Sequence, residues 1–355
     1  MFAVISRILY PNWLSIAFFT KGWGLFFSEE IYNISVFIGI VFLWHYLIAG
    51  FAVTSVLTNI AIAIGTRRYL AGGLCTSSKK LTGQTVIITG ANGGIGKETA
   101  RDMCRRGANV ILACRDVRKA EAAKLDIQAE GGSVQVRKLD LSSLQSVRDF
   151  ASGIISDNIK VHILINNAGV MMCPYMETTE GFEIQMGTNH LGHFLLTNLL
   201  LPQMKHGQPA RIISLSSLAH IGGKLDLNDL NNKKSYDKIQ AYCNSKIANV
   251  LFTRQLAKQL SGTNIQVFSV HPGLVYSNLG RYLMPQFVSD YLYCVMQKTT
   301  LEGAQTTIYC ATDAHQHSEM YFSDCAVGWA ASAAKDDVTA DKLWKISEKL
   351  VDIQK

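Results

Sequence analysis

Charged residues are scarce in this sequence and unevenly placed. They make up 17% of the chain, and residues 31–66 contain no Lys, Arg, Asp or Glu. Basic residues never occur in runs longer than two, and no stretch alternates basic with aromatic side chains. The sequence therefore gives no support to nucleic-acid binding. Its net charge of +7 predicts a solvated surface, with some basic residues flanking a membrane segment.

Closely spaced cysteine pairs are also absent. The eight cysteines include no Cys-x-x-Cys, and several lie inside apolar runs. This pattern predicts buried free thiols in a reducing compartment rather than a disulfide framework. His190 and His193 have the His-x-x-His spacing of some metal sites, but no third ligand is evident. We interpret them as core or helix-surface histidines and expect no bound metal.

The uncharged segment is long enough to cross a bilayer. Its 36 residues exceed the ~20 that a helix needs to span the hydrocarbon core. We therefore expect one tilted or kinked span rather than two passes, with a buried soluble helix as the weaker alternative. Residues 8–27, which precede it, are interpreted as an interfacial or re-entrant stretch, with a signal peptide as the weaker alternative. The predicted organisation is a membrane segment at residues 1–66 (span about 34–65), a linker at 67–82 and a catalytic domain at 83–355.

The charges around the span predict its orientation. Glu29-Glu30 precede it and Arg67-Arg68 follow it. Because positive charge marks the cytoplasmic side of a membrane segment, we expect the catalytic domain to face the cytosol.

Beyond the linker, short apolar stretches alternate with helical ones. The first such strand is Thr85–Thr89, and a helix is predicted from Gly96. Strands without polar alternation, separated by helices, predict a parallel sheet covered on both faces. The fold class predicted is α/β, with a doubly wound parallel sheet of the Rossmann type and an N-terminal transmembrane helical segment.

The first predicted strand ends in a glycine-rich turn that opens a helix. Glycines at such a turn let the backbone approach a pyrophosphate, whose charge is stabilised at the helix N-terminus. Its place between a strand and a helix favours dinucleotide binding. The candidate cofactor-binding residues in this turn are Gly90, Ala91, Asn92, Gly93, Gly94, Ile95 and Gly96.

The tips of the next two strands bear on the choice of cofactor. An acidic residue at the second tip would favour NAD, whereas an arginine nearby suits the 2′-phosphate of NADP. Cys114 takes the tip, and Arg115 and Asp116 follow it, so we favour NADP(H), with Asp116 as the contrary observation. Asp140 closes the third strand. It would either accept from the adenine amine or cap the following helix.

A tyrosine and a lysine have the spacing of an acid–base pair. Tyr242 and Lys246 are four residues apart, which puts them on one face of a predicted helix. An ammonium one turn away would favour the phenolate of a tyrosine whose ordinary pKa is near ~10. The pair gains specificity because it follows, in order, the glycine turn, Asn166-Asn167-Ala168-Gly169, Asn189 and Ser216-Ser217.

These motifs together resemble the short-chain dehydrogenase/reductase family. More narrowly, the chain is similar to membrane-anchored retinol dehydrogenases of the prostate/photoreceptor type over more than three quarters of its length. Among the matching stretches are Thr-Gly-Ala-Asn-Gly-Gly-Ile-Gly (89–96), Leu-Ala-Cys-Arg-Asp (112–116), Asn-His-Leu-Gly-His-Phe (189–194), Ala-Tyr-Cys-Asn-Ser-Lys (241–246) and Val-His-Pro-Gly (270–273).

The resemblance implies a role for each matching residue. Tyr242 would exchange the proton, with Ser217, rather than Ser216, orienting the carbonyl oxygen. Lys246 would tune Tyr242 and bind the nicotinamide ribose, and Asn189 would position a relay water. The residues implied to bind cofactor outside the glycine turn are Arg115, Asp140, Asn167, Lys246 and Pro272.

The activity implied is interconversion of retinal and retinol with NADP(H) at the endoplasmic reticulum membrane. Two alternatives stay open: another lipophilic carbonyl substrate, such as a steroid, polyprenal or lipid aldehyde, and a non-catalytic cofactor-binding membrane scaffold. The expected partners are a lipophilic substrate and membrane lipid, and assembly as a homodimer is a further possibility. The aromatic stretch from Leu279 to Lys298 is interpreted either as packing or as a lid over a lipophilic substrate.

Overall fold

Consecutive residues of the central strands face opposite sides of one sheet, and both sides are buried. Ile87 packs into one layer of helices, whereas Val86 and Ile88 pack into the other. Strands covered on both faces are apolar throughout, which explains the runs of Val and Ile. The computed structural model describes residues 29–129, 132–233, 235–277, 279–280, 297–314 and 321–353.

One sheet is formed within these ranges. Its strands are β1 (Thr85–Thr89), β2 (Asn109–Cys114), β3 (Ser133–Lys138), β4 (Ile163–Asn166), β5 (Ala210–Leu215), β6 (Ile265–His271), β7 (Tyr321–Ser323) and β8 (Ala326–Val327). They lie in the order β3-β2-β1-β4-β5-β6-β7-β8, parallel except for the last pair. The prediction of a doubly wound parallel sheet is confirmed.

Helix α1 (Glu29–Ala71) precedes the sheet in the chain. The helices that cover the two faces of the sheet are α2 (Gly94–Arg105), α3 (Val117–Gln128), α4 (Leu144–Ser156), α5 (Gly192–His206), α6 (Lys238–Gln259), α7 (Thr300–Thr312) and α8 (Asp337–Leu350). Buried side chains of α2, α3 and α7 form one core layer, and those of α4, α5, α6 and α8 form the other. A helical turn (Ile184–Met186) and a π-helical turn (Gly187–Leu191) lead into α5.

Helix α1 is apolar on all sides. From Ser35 to Ala71 it has 37 residues, and its most apolar window has a mean hydropathy of 2.2 with no buried residue. Phe37, Trp44 and Phe51 are each more than half exposed, a surface that is unfavourable in water. The helix is long and apolar enough to cross a membrane, which suggests membrane anchoring. Within the described residues, those up to 66 and those from 67 onward belong to separate compact units.

The segment after the apolar stretch is held along α7. Arg67 pairs with both carboxylate oxygens of Glu302, at 2.6 and 2.7 Å, near the start of α7. The Ser77 hydroxyl donates to Asp313, just beyond the end of α7, at 2.6 Å. Since α1 continues to Ala71, residues 67–71 of the predicted linker are helical. The later part of that linker lies against the catalytic unit through these contacts.

Core leucines should carry far more stability than exposed ones. Leu200 on α5 is fully buried, whereas Leu125 on α3 is 68% exposed. We expect Leu200→Ala to lower the free energy of unfolding by ~2–5 kcal/mol, because it leaves a cavity. The matched Leu125→Ala variant should stay within about 0.5 kcal/mol of the parent. Urea unfolding in detergent, followed by near-ultraviolet circular dichroism, measures both; equal losses would contradict the assigned core.

Candidate active site

Four neighbouring strands bring the sequence motifs to one edge of the sheet. Strands β1, β4, β5 and β6 are adjacent and parallel, so their carboxyl ends lie side by side. Ligands of open α/β sheets bind in the crevice at this edge, where the strand order reverses. Here the order reverses between β1 and β4, and the candidate site lies at that crevice.

The glycines of the turn after β1 serve different purposes. Gly90 has φ +66°, and a Cβ on it would lie 2.9 Å from the Cβ of Ala168. A Cβ on Gly96 would lie 2.5 Å from Asn167 Nδ2, so this glycine permits α2 to approach the turn after β4. Gly93 is different, since its backbone is extended and no atom lies within 4 Å of its built Cβ.

The N-terminus of α2 fits the pyrophosphate of a dinucleotide. Its N-cap is Gly93, which has no side chain to accept from the first N–H groups of the helix. Those groups are therefore available to an anion. Ala91 is buried, Asn92 and Gly94 are half-buried, and the half-buried Ile95 packs against the core. In this turn the backbone, rather than side-chain charge, would bind the phosphates.

The tip of β2 contains a thiol instead of a carboxylate. Cys114 is buried beneath the glycine turn, where backbone N–H groups of residues 90–92 contact its sulfur; burial raises its pKa to about 11. Asp116 is the N-cap of α3 and accepts from the backbone N–H of Lys119 at 3.0 Å. Arg115 lies between them and is exposed. One oxygen of the carboxylate at this tip is thus engaged by a helix end.

Two other predicted cofactor residues make local contacts. Asp140 accepts from the backbone N–H of Ser142 at 2.9 Å and from its hydroxyl at 2.6 Å. The N-cap of α4 is Ser143, so the alternative in which Asp140 caps that helix is wrong. The Asn167 amide donates to the carbonyl oxygen of Thr89 at 2.8 Å, which joins the ends of β4 and β1.

A serine and a tyrosine meet at the end of β5. The side chain of Ser217 lies near the hydroxyl of Tyr242 and acts to lower its pKa. Ser216 faces away from it, and its hydroxyl donates to the backbone carbonyl of Lys246 at 2.7 Å. Neighbouring residues of an extended chain point in opposite directions, which separates the two serines. Ser217 is therefore the serine beside the tyrosine hydroxyl.

Burial governs the charge states of the pair on α6. Tyr242 is 4% exposed, and burial raises its pKa to about 12, while the nearby Ser217 side chain acts in the opposite direction. Burial lowers the pKa of Lys246 to about 8. Its Nζ donates to the carbonyl of Leu215 at 3.1 Å and lies 5.6 Å from the tyrosine ring centroid. Desolvation thus outweighs the expected stabilisation of a phenolate by the lysine.

Asn189 lies in the π-helical turn before α5 and is fully buried. Its Oδ1 accepts from the backbone N–H of Val170 at 2.8 Å, and its Nδ2 donates to Val170 O and to Ser245 Oγ, both at 2.9 Å. A Cβ on Gly169 would lie 3.2 Å from this Oδ1 and 3.8 Å from Lys246 Nζ. The absence of a side chain at Gly169 therefore keeps the space between the amide and the ammonium open.

The turn after β6 packs against a buried lysine. Pro272 is half-buried, and Gly273 has φ +89°. A Cβ on Gly273 would lie 2.7 Å from Cε of Lys298, whose ammonium pairs with Asp324. The predicted lid follows this turn, but its residues 281–296 lie outside the described residues.

The two histidines beside Asn189 have separate partners. His190 Nε2 lies 2.9 Å from Ser347 Oγ on α8, and His193 Nε2 lies 2.8 Å from Thr89 Oγ1. Both rings are buried, and burial lowers their pKa values to about 3 and about 4. The described ranges contain no group of three or more His, Cys, Asp or Glu side chains suited to a metal ion.

Comparison with known proteins identifies the family. Residues 84–286 match the family model described as short chain dehydrogenase. The chain belongs to the short-chain dehydrogenase family. It is 50% identical over 299 residues to retinol dehydrogenase 12 of Mus musculus, covering 81% of this chain and 92% of that protein. It is 49% identical over 285 residues to retinol dehydrogenase 11 of the same species, covering 79% and 90%.

A solved structure supports the same assignment. A crystal structure of an uncharacterised protein from Mycobacterium paratuberculosis is 38% identical, with a TM-score of 0.66, and covers 80% of this chain and 98% of that one. The resemblance to retinol dehydrogenases is therefore confirmed. As a short-chain dehydrogenase, the chain is an oxidoreductase of a family that uses NAD(P)(H).

The sequence motifs of this short-chain dehydrogenase did not identify every residue that shapes the site. Gly169 keeps a space open beside Lys246, and the Thr89 hydroxyl accepts from the backbone N–H groups of both Asn167 and Ala168, each at 2.9 Å. Both residues lie within motifs used for other reasons. In the sequence, Thr89 stands just before the glycine turn and Gly169 just after Ala168. Their roles were not predicted, because the residues that they contact are distant along the chain.

The glycines of the turn should differ sharply in their tolerance of a methyl group. We expect Gly96→Ala to weaken cofactor binding at least tenfold, since its Cβ would force apart the ends of β1 and β4. Gly93→Ala should bind within about twofold of the parent, because its backbone is extended and its surroundings are open. Titration of cofactor fluorescence gives both dissociation constants, and equal weakening would argue against the assigned turn.

Proposed function

We propose that this short-chain dehydrogenase interconverts retinal and retinol with NADP(H). The observation that carries the chemistry is the position of Ser217 near the Tyr242 hydroxyl, beside the buried Lys246 and at the same sheet edge as the glycine turn. The substrate class is supported by the 50% identity to mouse retinol dehydrogenase 12 over most of the chain. A second candidate is the same reaction on another lipophilic carbonyl.

The proton transfer is assigned to Tyr242. Because its pKa is raised to about 12, it is protonated at neutral pH and suited to donate a proton to a carbonyl oxygen during reduction. Ser217, which lies near the tyrosine hydroxyl, would orient that oxygen. The bound cofactor supplies the hydride in this direction and accepts it in the other.

Lys246 and Asn189 would return a proton to the tyrosine. The pKa of Lys246 is lowered to about 8, so its ammonium can exchange protons near neutral pH. One lone pair of Asn189 Oδ1 is engaged by Val170, and the other is open to a water in the space beside Gly169. Such a water would link the amide to the ammonium, which is the relay role proposed for Asn189.

The proposed preference for NADP(H) rests on the tip of β2. Cys114, a buried neutral thiol, takes the tip of the strand, and Oδ1 of Asp116 is engaged as a helix cap, which leaves only the second oxygen of Asp116 to accept from a ribose 2′-hydroxyl. The exposed Arg115 can donate several hydrogen bonds to a 2′-phosphate. In this proposal the adenosine half of the cofactor also contacts Asp140, with Asn167 and Pro272 closer to the nicotinamide half.

Apolar side chains beside the proposed catalytic residues favour a lipophilic substrate. Leu218 follows Ser217 and is 54% exposed, and Leu274 follows Gly273 and is 60% exposed. Exposed leucines at a catalytic crevice suit an apolar ligand. The proposal further puts the protein in the endoplasmic reticulum membrane, with the domain at 83–355 on the cytosolic side. The orientation is supported by Arg67-Arg68, which lie near the end of α1, just after its uncharged stretch.

Retinal turnover tests the proposed reaction directly. We expect detergent-solubilised protein to reduce all-trans-retinal with NADPH, and Tyr242→Phe to lower kcat about 100-fold or more while keeping its affinity for NADPH. Tyr309→Phe, which changes a tyrosine on α7, is the control and should retain activity. Tight NADPH binding without retinal turnover would leave a lipophilic carbonyl other than retinal as the candidate. Unchanged activity of Tyr242→Phe would refute the assigned proton donor.

The role of Arg115 gives a second test. We expect Arg115→Gln to raise KM for NADPH about 10- to 100-fold, the loss typical of a charge-assisted hydrogen bond, and to leave KM for NADH unchanged. Arg118→Gln is a matched control, since Arg118 is also exposed and follows the same strand. Steady-state kinetics with each cofactor measures the ratio of KM for NADPH to KM for NADH in each variant. Equal effects of the two variants would show that Arg115 contributes only general surface charge and makes no specific contact with the 2′-phosphate.

A further inference from the structure

His193 joins two parts of the site that lie far apart in sequence. It belongs to the first turn of α5, and its ring is 1% exposed. Nδ1 lies 3.0 Å from the backbone carbonyl oxygen of Asn189, and Nε2 lies 2.8 Å from the hydroxyl oxygen of Thr89. The first partner belongs to the π-helical turn, and the second ends β1 just before the glycine turn.

The hydrogen bonds determine which ring nitrogen carries the proton. A carbonyl oxygen can only accept, so Nδ1 carries the hydrogen and donates it to Asn189. In the neutral ring Nε2 must then accept, and the Thr89 hydroxyl donates to it. The only other acceptor recorded for this hydroxyl is the Ile165 carbonyl at 3.4 Å, a much longer contact. The tautomer of His193 is therefore fixed by its two neighbours.

This arrangement uses the full hydrogen-bonding capacity of the Thr89 hydroxyl. Its hydrogen points to His193, and its oxygen accepts from the backbone N–H groups of Asn167 and Ala168, both at 2.9 Å. A hydroxyl has one donor and two acceptor positions, and all three are occupied. Ala168 is also the residue against which Gly90 packs. His193 thus orients the Thr89 hydroxyl, which hydrogen-bonds the backbone of the residue packed against the glycine turn.

The neutral ring is the only form that fits these contacts. Burial lowers the pKa of His193 to about 4, and the positive charge of Lys246 acts in the same direction. Protonated Nε2 would direct a hydrogen at an oxygen whose acceptor positions are already filled. The contacts are therefore maintained across the neutral range of pH.

We propose that His193 is a positioning residue that couples the cofactor turn to Asn189. On one side it holds the Thr89 hydroxyl in the orientation that accepts from the turn after β4. On the other it donates to the backbone of Asn189, whose side-chain oxygen borders the same space beside Gly169 as Lys246 Nζ. This inference rests on the proposed function, because it assigns Asn189 to the proton relay.

Two substitutions can break the two bonds separately. The amide nitrogen of asparagine lies near the position of a histidine Nδ1, and the end of a glutamine side chain lies near that of Nε2. His193→Asn therefore retains a donor to Asn189 and loses the acceptor for Thr89. His193→Gln retains an acceptor for Thr89 and loses the donor to Asn189.

The two variants should affect different kinetic quantities. We expect His193→Asn to raise the dissociation constant of NADPH about fivefold or more, with kcat at saturating cofactor within about twofold of the parent. We expect His193→Gln to bind NADPH within about twofold of the parent and to lower kcat for retinal about tenfold. Titration of cofactor fluorescence measures the dissociation constant of NADPH. The absorbance change during turnover at saturating cofactor measures kcat.

A buried histidine nearby and a double substitution serve as controls. His190→Gln also alters a buried histidine. We expect it to lower the melting temperature, with any change in the dissociation constant of NADPH matched by a change of the same proportion in kcat. Thr89→Val combined with His193→Asn should weaken NADPH binding no more than Thr89→Val alone, because both remove the same hydrogen bond.

The outcomes separate this inference from the proposed function. If His193→Asn and His193→Gln change affinity and kcat in the same proportion, or change only the melting temperature, His193 is a structural core residue and the inference is overturned. If the parent binds NADPH without reducing retinal, the proposed substrate fails. The affinity measurements with Thr89→Val still decide whether the histidine is coupled to the cofactor turn.

Discussion

The pairing of β1 with β4 is the constraint on which the site depends. Successive strands β1, β2 and β3 extend the sheet in one direction, and β4 to β7 extend it in the other. The chains leaving β1 and β4 therefore diverge to opposite faces and leave a crevice between them. The Thr89 hydroxyl and the Asn167 amide bridge this pair directly. Every residue assigned to the cofactor or to proton transfer is positioned relative to that crevice.

Desolvation is the second influence on the chemistry. Tyr242, Lys246 and His193 are all nearly inaccessible, and in each case burial is the largest cause of the pKa change. The neutral forms are favoured, so tyrosine remains an acid, lysine becomes able to exchange a proton and histidine is restricted to hydrogen bonding. One physical effect thus gives three side chains different functions according to their ordinary pKa values.

Much of the fold was accessible from sequence because it depends on local patterns. Uniformly apolar strands predicted a sheet covered on both sides, and the uncharged stretch predicted the apolar helix. The order of motifs predicted which strands would carry them, since parallel strands place their carboxyl ends at one edge. The cap of α4 was less accessible: Asp140 and Ser143 are both good N-cap residues, and only the helix start distinguishes them.

The sequence by itself determined the fold class, the family motifs and the spacing of Tyr242 and Lys246, because these depend on residue type and on repeats within one element. The tertiary structure decided that Ser217 rather than Ser216 lies near Tyr242 and that Asp116 caps a helix. It also decided that a side chain at Gly169 would enter the space between Asn189 and Lys246. It also decided that burial raises the tyrosine pKa. Each of these depends on contacts between segments distant along the chain, and on the exclusion of water that those contacts produce.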